Sequence, residues 1–314
     1  MLLRPLLVRY ALARPNARSS HTVPTPQGAG LAVIGAALTC VIAAALLMRL
    51  GTGPATPNLI SFVLGILGLA AIGFIDDIAP LSARVRLAVQ TAACLGLLLA
   101  LPDGARALPL LPYPLELLIS LAGLVWFVNL TNFMDGIDGM TVAGIVPVLA
   151  GIGLLAATAD PAAATDAIIA LALAGGLIGF APFNRHVAKV FLGDVGSLAI
   201  GGITGWLLLS LACRGALVPA LILALYYLAD TTTTLLLRWR RRARVSEAHR
   251  EHFYQRAVAG GLGVPRVIAR VWALNGALFI LALAAGATKQ PLLQLVCLAS
   301  AAGLTAITLR RFGS

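Results

Sequence analysis

The chain has 314 residues, is 60% hydrophobic and only 11% charged, with a mean hydropathy of +0.94. Soluble domains carry roughly 25% charged residues, so this chain cannot cover a globular surface in water, which excludes an ordinary cytosolic enzyme, a disordered tail and a disulfide scaffold. Apolar runs of about twenty residues suit spanning helices, not the ~10-residue alternating segments of a transmembrane barrel.

The expected fold is all-α, a polytopic membrane helical bundle. Residues 1–27 read as a cytoplasmic or interfacial segment. Its apolar run is interrupted by Arg4, Arg9 and Arg14, is too short to span, and lacks the uninterrupted core and cleavage site of a signal peptide. Residues 28–314 read as one transmembrane catalytic domain. Ten spans are expected, roughly at 28–50, 57–75, 84–101, 114–131, 140–158, 164–182, 195–211, 216–237, 267–287 and 291–309, with a long cytoplasmic loop at 238–265.

The net charge of +11 is explained by topology before nucleic acid. With residues 1–27 in the cytoplasm and the spans alternating, 19 of the 23 Lys and Arg fall on the cytoplasmic side. Eight of the twelve acids share that side, although positive-inside does not require it. Asp76, Asp77, Asp135, Asp138 and Asp194 sit at span ends, and Asp230 lies within a span toward the same side. Ionisable groups at membrane depth are costly and imply function. Carboxylates from distant spans on one face look like a metal or phosphate site. Cys40, Cys94, Cys213 and Cys297 form no CxxC pair and read as small buried apolar residues.

Five segments carry chemistry, in chain order. His21-Thr-Val-Pro-Thr-Pro-Gln-Gly-Ala-Gly30 is stiffened by prolines, and its glycines allow close backbone approach; a plain helix-entry loop would look the same. Gly73-Phe-Ile-Asp76-Asp77 ends an apolar helix with two adjacent carboxylates, the wrong sign for a helix C-terminus, so a divalent cation or a cationic neighbour is expected. Asn129-Leu-Thr-Asn132-Phe-Met-Asp135-Gly-Ile-Asp138-Gly139 alternates amides and acids in an oxygen-rich turn that suits Mg²⁺ better than Ca²⁺. Val190-Phe-Leu-Gly193-Asp194-Val-Gly196-Ser197 places an acid at a helix start, as a metal ligand or an N-cap. The loop from Arg238 to Pro265 carries His249, Arg250 and His252, and could clamp a pyrophosphate; its order, HREH, excludes HExxH zinc chemistry.

In this order, PTPQGAG, GFIDD, NLTNFMDGIDGM, VFLGDVGS and AHREHFYQ resemble the motifs of the polyprenyl-phosphate N-acetylhexosamine-1-phosphate transferase superfamily, glycosyltransferase family 4. The resemblance runs from about residue 14 to the last span, and NFMDGIDG and FLGDVGS are its most specific parts. It implies a bacterial inner-membrane enzyme with a cytoplasmic site that moves a sugar 1-phosphate from a UDP-sugar to undecaprenyl phosphate. UMP leaves, and a lipid-linked cell-surface glycan begins.

By the same resemblance the enzyme is Mg²⁺-dependent, with Mn²⁺ as a substitute. Asn132 and Asp194 would hold the metal, and Asp76, Asp77 and Asp194 would be catalytic. Asn129, Asn132, Asp135, Asp138, His249, Arg250 and His252 would bind substrate. Expected partners are a UDP-N-acetylhexosamine or a 6-deoxy relative, undecaprenyl phosphate, the bilayer and, as an option, a second copy in a homodimer; nucleic acid is not among them.

Two departures are expected to matter. The full span that usually precedes the PTP loop is absent or curtailed. The fifth motif reads AHREHFYQ instead of the triple histidine of the peptidoglycan-precursor enzyme, which argues against a pentapeptide-bearing donor. It fits the O-antigen or exopolysaccharide branch, with UDP-GlcNAc, UDP-FucNAc or UDP-QuiNAc as donors. The rival readings are a membrane transporter with an acidic cytoplasmic gate and a lipid-binding scaffold with a degenerate site.

Overall fold

A computed structural model describes residues 12–13, 24–48, 58–159, 163–243 and 249–313. His21 and most of the 1–27 segment lie outside these residues. A two-residue pairing joins β1 (Leu12–Ala13) to β2 (Thr25–Pro26). The helices follow as α1 (Gly30–Met48), α2 (Leu59–Ile78), α3 (Ala83–Leu98), α4 (Tyr113–Met134), α5 (Met140–Ala159), α6 (Ala164–Asn184), α7 (Asp194–Cys213), α8 (Leu217–Arg240), the short α9 (Phe253–Ala259), α10 (Val264–Gly286) and α11 (Pro291–Gly313).

Among the described residues, nine helices are long and apolar enough to cross a bilayer. The protein is thus a polytopic α-helical membrane bundle. The expected tenth span, 84–101, is the exception. Its helix α3 has 16 residues, about 24 Å at 1.5 Å per residue, shorter than the ~30 Å hydrocarbon core. It still runs antiparallel beside α2, from Arg86 at the Asp76 end to Ala100 O, which accepts Asn58 N at the other, so the alternation of the helices is kept. The apolar Leu99 and Leu101, which lengthened the run in sequence, fall in the turn after the helix. The expected loop at 238–265 contains a helix of its own, α9, and α8 runs on into it as far as Arg240.

Local chemistry sets many of the helix starts. The side chains of Asn58 and Ser82 accept the amides of Ser61 (3.2 Å) and Val85 (3.4 Å), capping α2 and α3. Prolines sit in the first turns of α4 and α10, where a missing N–H costs nothing. At the centre stands α7, buried along almost its whole length from Val195 to Ala212 and packed among α1, α2, α4 and α8. The peripheral helices show the opposite pattern. Leu46, Leu47, Ile60 and Leu292 are exposed from the protein, as lipid-facing side chains should be. Of the four cysteines only Cys94 is buried; Cys40 is exposed, and Cys213 and Cys297 are intermediate. Lipid, not protein, therefore surrounds part of a set that the sequence placed wholly inside.

Up-and-down connectivity gathers the C-terminal ends of α2, α4 and α6 with the N-terminal ends of α1, α5 and α7 at one end of the bundle. Four of the five motifs lie there, and α9 brings the fifth.

Candidate functional site

The site is built around the start of α7. Gly193 has φ +79°, a left-handed turn that glycine adopts without strain. The first amides of a helix have no partner within it, and here a neighbouring helix supplies one. Asp77 accepts the backbone N–H of Asp194 (2.9 Å at Oδ1) and of Val195 (3.1 Å at Oδ2). The closeness of α2 to α7 depends on Gly73, because a Cβ there would lie 2.3 Å from the Asp194 carbonyl oxygen. The first motif docks on the same turn. Phe191 N donates to Pro26 O (2.8 Å), Gly30 N donates to Leu192 O (2.9 Å), and Gln27 Nε2 donates to Asp77 O (3.0 Å). The prolines and glycines of PTPQGAG thus build a backbone brace for FLGDVGS.

With Asp77 engaged, Asp76 and Asp194 are the carboxylates that face each other, within hydrogen-bonding reach. Asn132 Nδ2 donates to Asp194 Oδ1 (2.8 Å) and to Ser197 Oγ (2.9 Å). Asp76 accepts Leu81 N (2.7 Å). Arg86, from the first turn of α3, lies 2.8 Å from Asp76 and 3.8 Å from Asp194. The sequence reading missed Arg86, counting it only as a positive-inside anchor. A signal was present: a cation in the first turn of a helix opposes the helix dipole, so it needs a carboxylate partner.

The remaining predicted residues divide. Asp135 ends α4 and accepts a hydrogen bond from Thr141 Oγ1. Burial pushes its carboxyl up to about 7, and the nearby charges of Asp194, Asp77 and Asp138 add to this against the Thr141 bond. Asp138 is buried, with Oδ2 2.9 Å from His186 Nδ1 and accepting Ala188 N (3.2 Å). It ties the 136–139 turn to the 185–190 loop. Asn184, also unremarked in sequence, does the same, accepting Gly139 N (2.8 Å) and donating to Val190 O (3.2 Å). Asn129 donates to Gln90 Oε1 (2.8 Å) and Val125 O (2.8 Å), which holds α4 to α3 away from the carboxylate pair. Beside Asp138 lies a cavity of about 410 Å³ between α5, α6 and α10. Neither Asp76, Asp194 nor Arg86 lines it, so it is distinct from the carboxylate cluster.

The fifth motif points partly inward. His252 is only 3% exposed, with Nδ1 3.2 Å from Asp230 Oδ1. Glu251 pairs with the buried Arg238. His249 is half-buried and Arg250 exposed, so these two are the members of the predicted clamp that reach the surface.

Among the described residues, no cluster of three or more His, Cys, Asp or Glu forms a ready metal cage. Mg²⁺ does not need one: it is usually held by one or two carboxylates, water and substrate phosphate. Asp76 and Asp194 in mutual contact, with the amide of Asn132 beside them and no sulfur or imidazole, form a hard-oxygen donor set that fits such an ion.

Fold and site define a multi-pass membrane protein with a carboxylate-rich centre at one end of its helices. The glycosyl transferase family 4 profile matches residues 59–212. The chain is 35% identical over 218 residues to the decaprenyl-phosphate N-acetylglucosaminephosphotransferase of Mycolicibacterium smegmatis, covering 64% of this chain and 54% of that protein. It is 35% identical over 207 residues to the enzyme of the same name from Mycobacterium tuberculosis, covering 61% and 51%. It is 32% identical over 225 residues to the phospho-N-acetylmuramoyl-pentapeptide-transferase of Streptococcus pneumoniae, covering 68% and 66%. The chain belongs to the polyprenyl-phosphate N-acetylhexosamine-1-phosphate transferase superfamily. It spans from about half to two thirds of the length of these relatives.

Proposed function

We propose that the protein transfers an N-acetylhexosamine 1-phosphate from a UDP-sugar to a polyprenyl phosphate, undecaprenyl phosphate in the first instance, with release of UMP. The observation that carries this reading is the convergence of Asp76, Asp194, Asn132 and Arg86 from four separate helices. An acid cluster with one bridging arginine suits a reaction between two phosphorylated molecules that otherwise repel.

An oxygen of the lipid phosphate attacks the sugar-bearing phosphorus, and the bond from that phosphorus to the UMP oxygen breaks. Phosphate monoesters have a second pKa near 6, so the nucleophile is already ionised near neutrality and needs no strong base. A bound Mg²⁺, held by Asp194 and Asp76 with Asn132 alongside, would neutralise charge on the diphosphate and its leaving group. Arg86 offers a bidentate fork to the same phosphates. Asp77 keeps Asp194 in place by capping α7. His249 and Arg250, which reach the surface, would contact the diphosphate and sugar. An ionised nucleophile leaves a base role for Asp76 unnecessary; its part is to carry charge beside Arg86, and turnover near wild type in Asp76→Asn would refute any catalytic role for it.

The site faces the cytoplasm of a bacterial inner membrane in this reading, supported by the 19 of 23 cationic residues that alternation puts on that side. A GlcNAc-type donor is supported by the mycobacterial relatives. An O-antigen or exopolysaccharide role rests on the AHREHFYQ form of the fifth motif. A transporter is disfavoured, because the facing carboxylates sit at helix ends and not at broken helices near the midplane.

The deciding experiment uses purified protein, undecaprenyl phosphate and a panel of UDP-sugars, with UMP release as the readout. Release that requires Mg²⁺ and lipid phosphate is expected. No release with any donor would end this reading in favour of a transporter or scaffold.

A further inference from the structure

We infer that Asp230 is a positioning residue that couples the two halves of the donor site, holding α9 and through it the Phe133–Gly136 turn. The inference rests on the transfer reaction proposed above.

Asp230 lies in α8, ten residues before its end, and is fully buried. A carboxylate at that depth is costly unless its oxygens are satisfied. Here they are. Oδ1 accepts Phe253 N (3.1 Å) and Thr234 Oγ1 (3.4 Å) and lies 3.2 Å from His252 Nδ1; Oδ2 accepts Tyr254 N (3.3 Å). Phe253 and Tyr254 open α9. That helix has only seven residues, too few to persist by itself. Besides its own capping contact, Gln255 Oε1 accepting His252 N (3.3 Å), its first two amides are capped from another helix, as those of α7 are.

From α9 the linkage continues to the Phe133–Gly136 turn at the end of α4. Tyr254 is fully buried and its Oη donates to Phe133 O (3.0 Å). It fills the space beside Gly136 so closely that a Cβ there would lie 2.1 Å from Oη. The His252 ring stacks on Tyr254 (centroids 5.8 Å apart, planes at 16°) and on Phe133 (6.3 Å, 28°). Phe133 and Gly136 bracket Asp135, and Phe133 follows Asn132, the partner of Asp194. Just before His252 in the chain stand His249 and Arg250. One buried carboxylate therefore fixes the cationic loop and the Asn132–Asp135 turn relative to each other. His252 is buried inside this linkage, against Asp230 and Tyr254.

The test measures transfer by purified wild type, Asp230→Asn, Arg250→Ala and the double variant, with separate KM values for UDP-GlcNAc and undecaprenyl phosphate. An asparagine amide cannot accept all the bonds that Asp230 accepts, so α9 shifts. The donor KM is expected to rise about tenfold while the acceptor KM stays within about twofold. In the Asp230→Asn background, Arg250→Ala is expected to add little, because Arg250 is already displaced with its loop. Equal changes in both KM values together with a lower melting temperature would reduce Asp230 to a structural residue. Independent, multiplying losses would break the linkage to Arg250. If Asp230→Asn does not accumulate in the membrane, Tyr254→Phe decides. It leaves the Asp230 cap intact and cuts the far end of the linkage, and a donor KM equal to that of wild type would overturn the inference. A wild-type protein that transfers nothing would instead remove the proposed function.

Discussion

The two ends of the bundle use the same residue types to opposite effect. At the end away from the motifs, Glu116 is matched by Arg106 and also accepts Leu108 N (2.9 Å), while Arg106 Nη2 donates to Leu111 O (2.6 Å). Asp166 accepts Ser210 Oγ (2.6 Å) and Arg214 Nε (3.2 Å). There Glu116 and Asp166 each have their own arginine, and the two pairs pin the ends of α4, α6 and α7. At the motif end Asp76 and Asp194 share a single arginine, with Asp77 and Asp135 close by. Matched charges at membrane depth read as structure. An excess of one sign reads as a place where a cation or a charged substrate completes the balance.

The difference can be broken by substitution. Asp194→Asn should abolish UMP release, a loss of at least about 10³-fold, while gel filtration in detergent and the melting temperature stay as in wild type; normal activity would take Asp194 out of the cluster. Arg86→Ala should cost about 10²-fold, with partial recovery in Arg86→Lys, because lysine keeps the charge and loses the fork. Full recovery with lysine would show that charge alone matters. Asp77→Asn should give a smaller loss of turnover coupled to lower stability, on the order of 1–3 kcal/mol for an α7 amide left unsatisfied, measured by thermal unfolding. A loss of turnover without any fall in stability would make Asp77 a direct participant. Arg214→Gln should sharpen the contrast from the other end. Breaking a buried ion pair costs roughly 3–5 kcal/mol, yet kcat of the surviving folded enzyme should stay within about twofold of wild type. A collapse of kcat there would show that the ends are not independent.

The helical membrane fold and the gathering of motifs on one face were legible in sequence, because apolar run length and the placement of acids at span ends carry that information directly. Nine of the ten expected spans have the necessary length. The tenth, α3, is shorter than expected because Leu99 and Leu101 extend its hydropathy without extending its helix. What sequence could not show was the division of labour inside each motif. Asp76 and Asp77 are adjacent, yet one faces Asp194 and the other caps its helix, since neighbouring side chains on a helix diverge by about 100°. The same holds for the fifth motif, where His249 reaches the surface and His252 is buried. Arg86 and Asp230 went unassigned because their partners lie ten and more than twenty residues away, beyond the reach of any local pattern.

The cap on α7 has one more implication. A helix start with open amides is a natural cradle for phosphate, but the Asp77 carboxylate already fills this one. On the proposed reading, anion recognition then falls to cationic side chains such as Arg86 and to a bound divalent ion, both of which added salt can weaken. Donor affinity should therefore decline steeply with ionic strength, in contrast to nucleotide folds whose backbone nests grip phosphate with fixed dipoles.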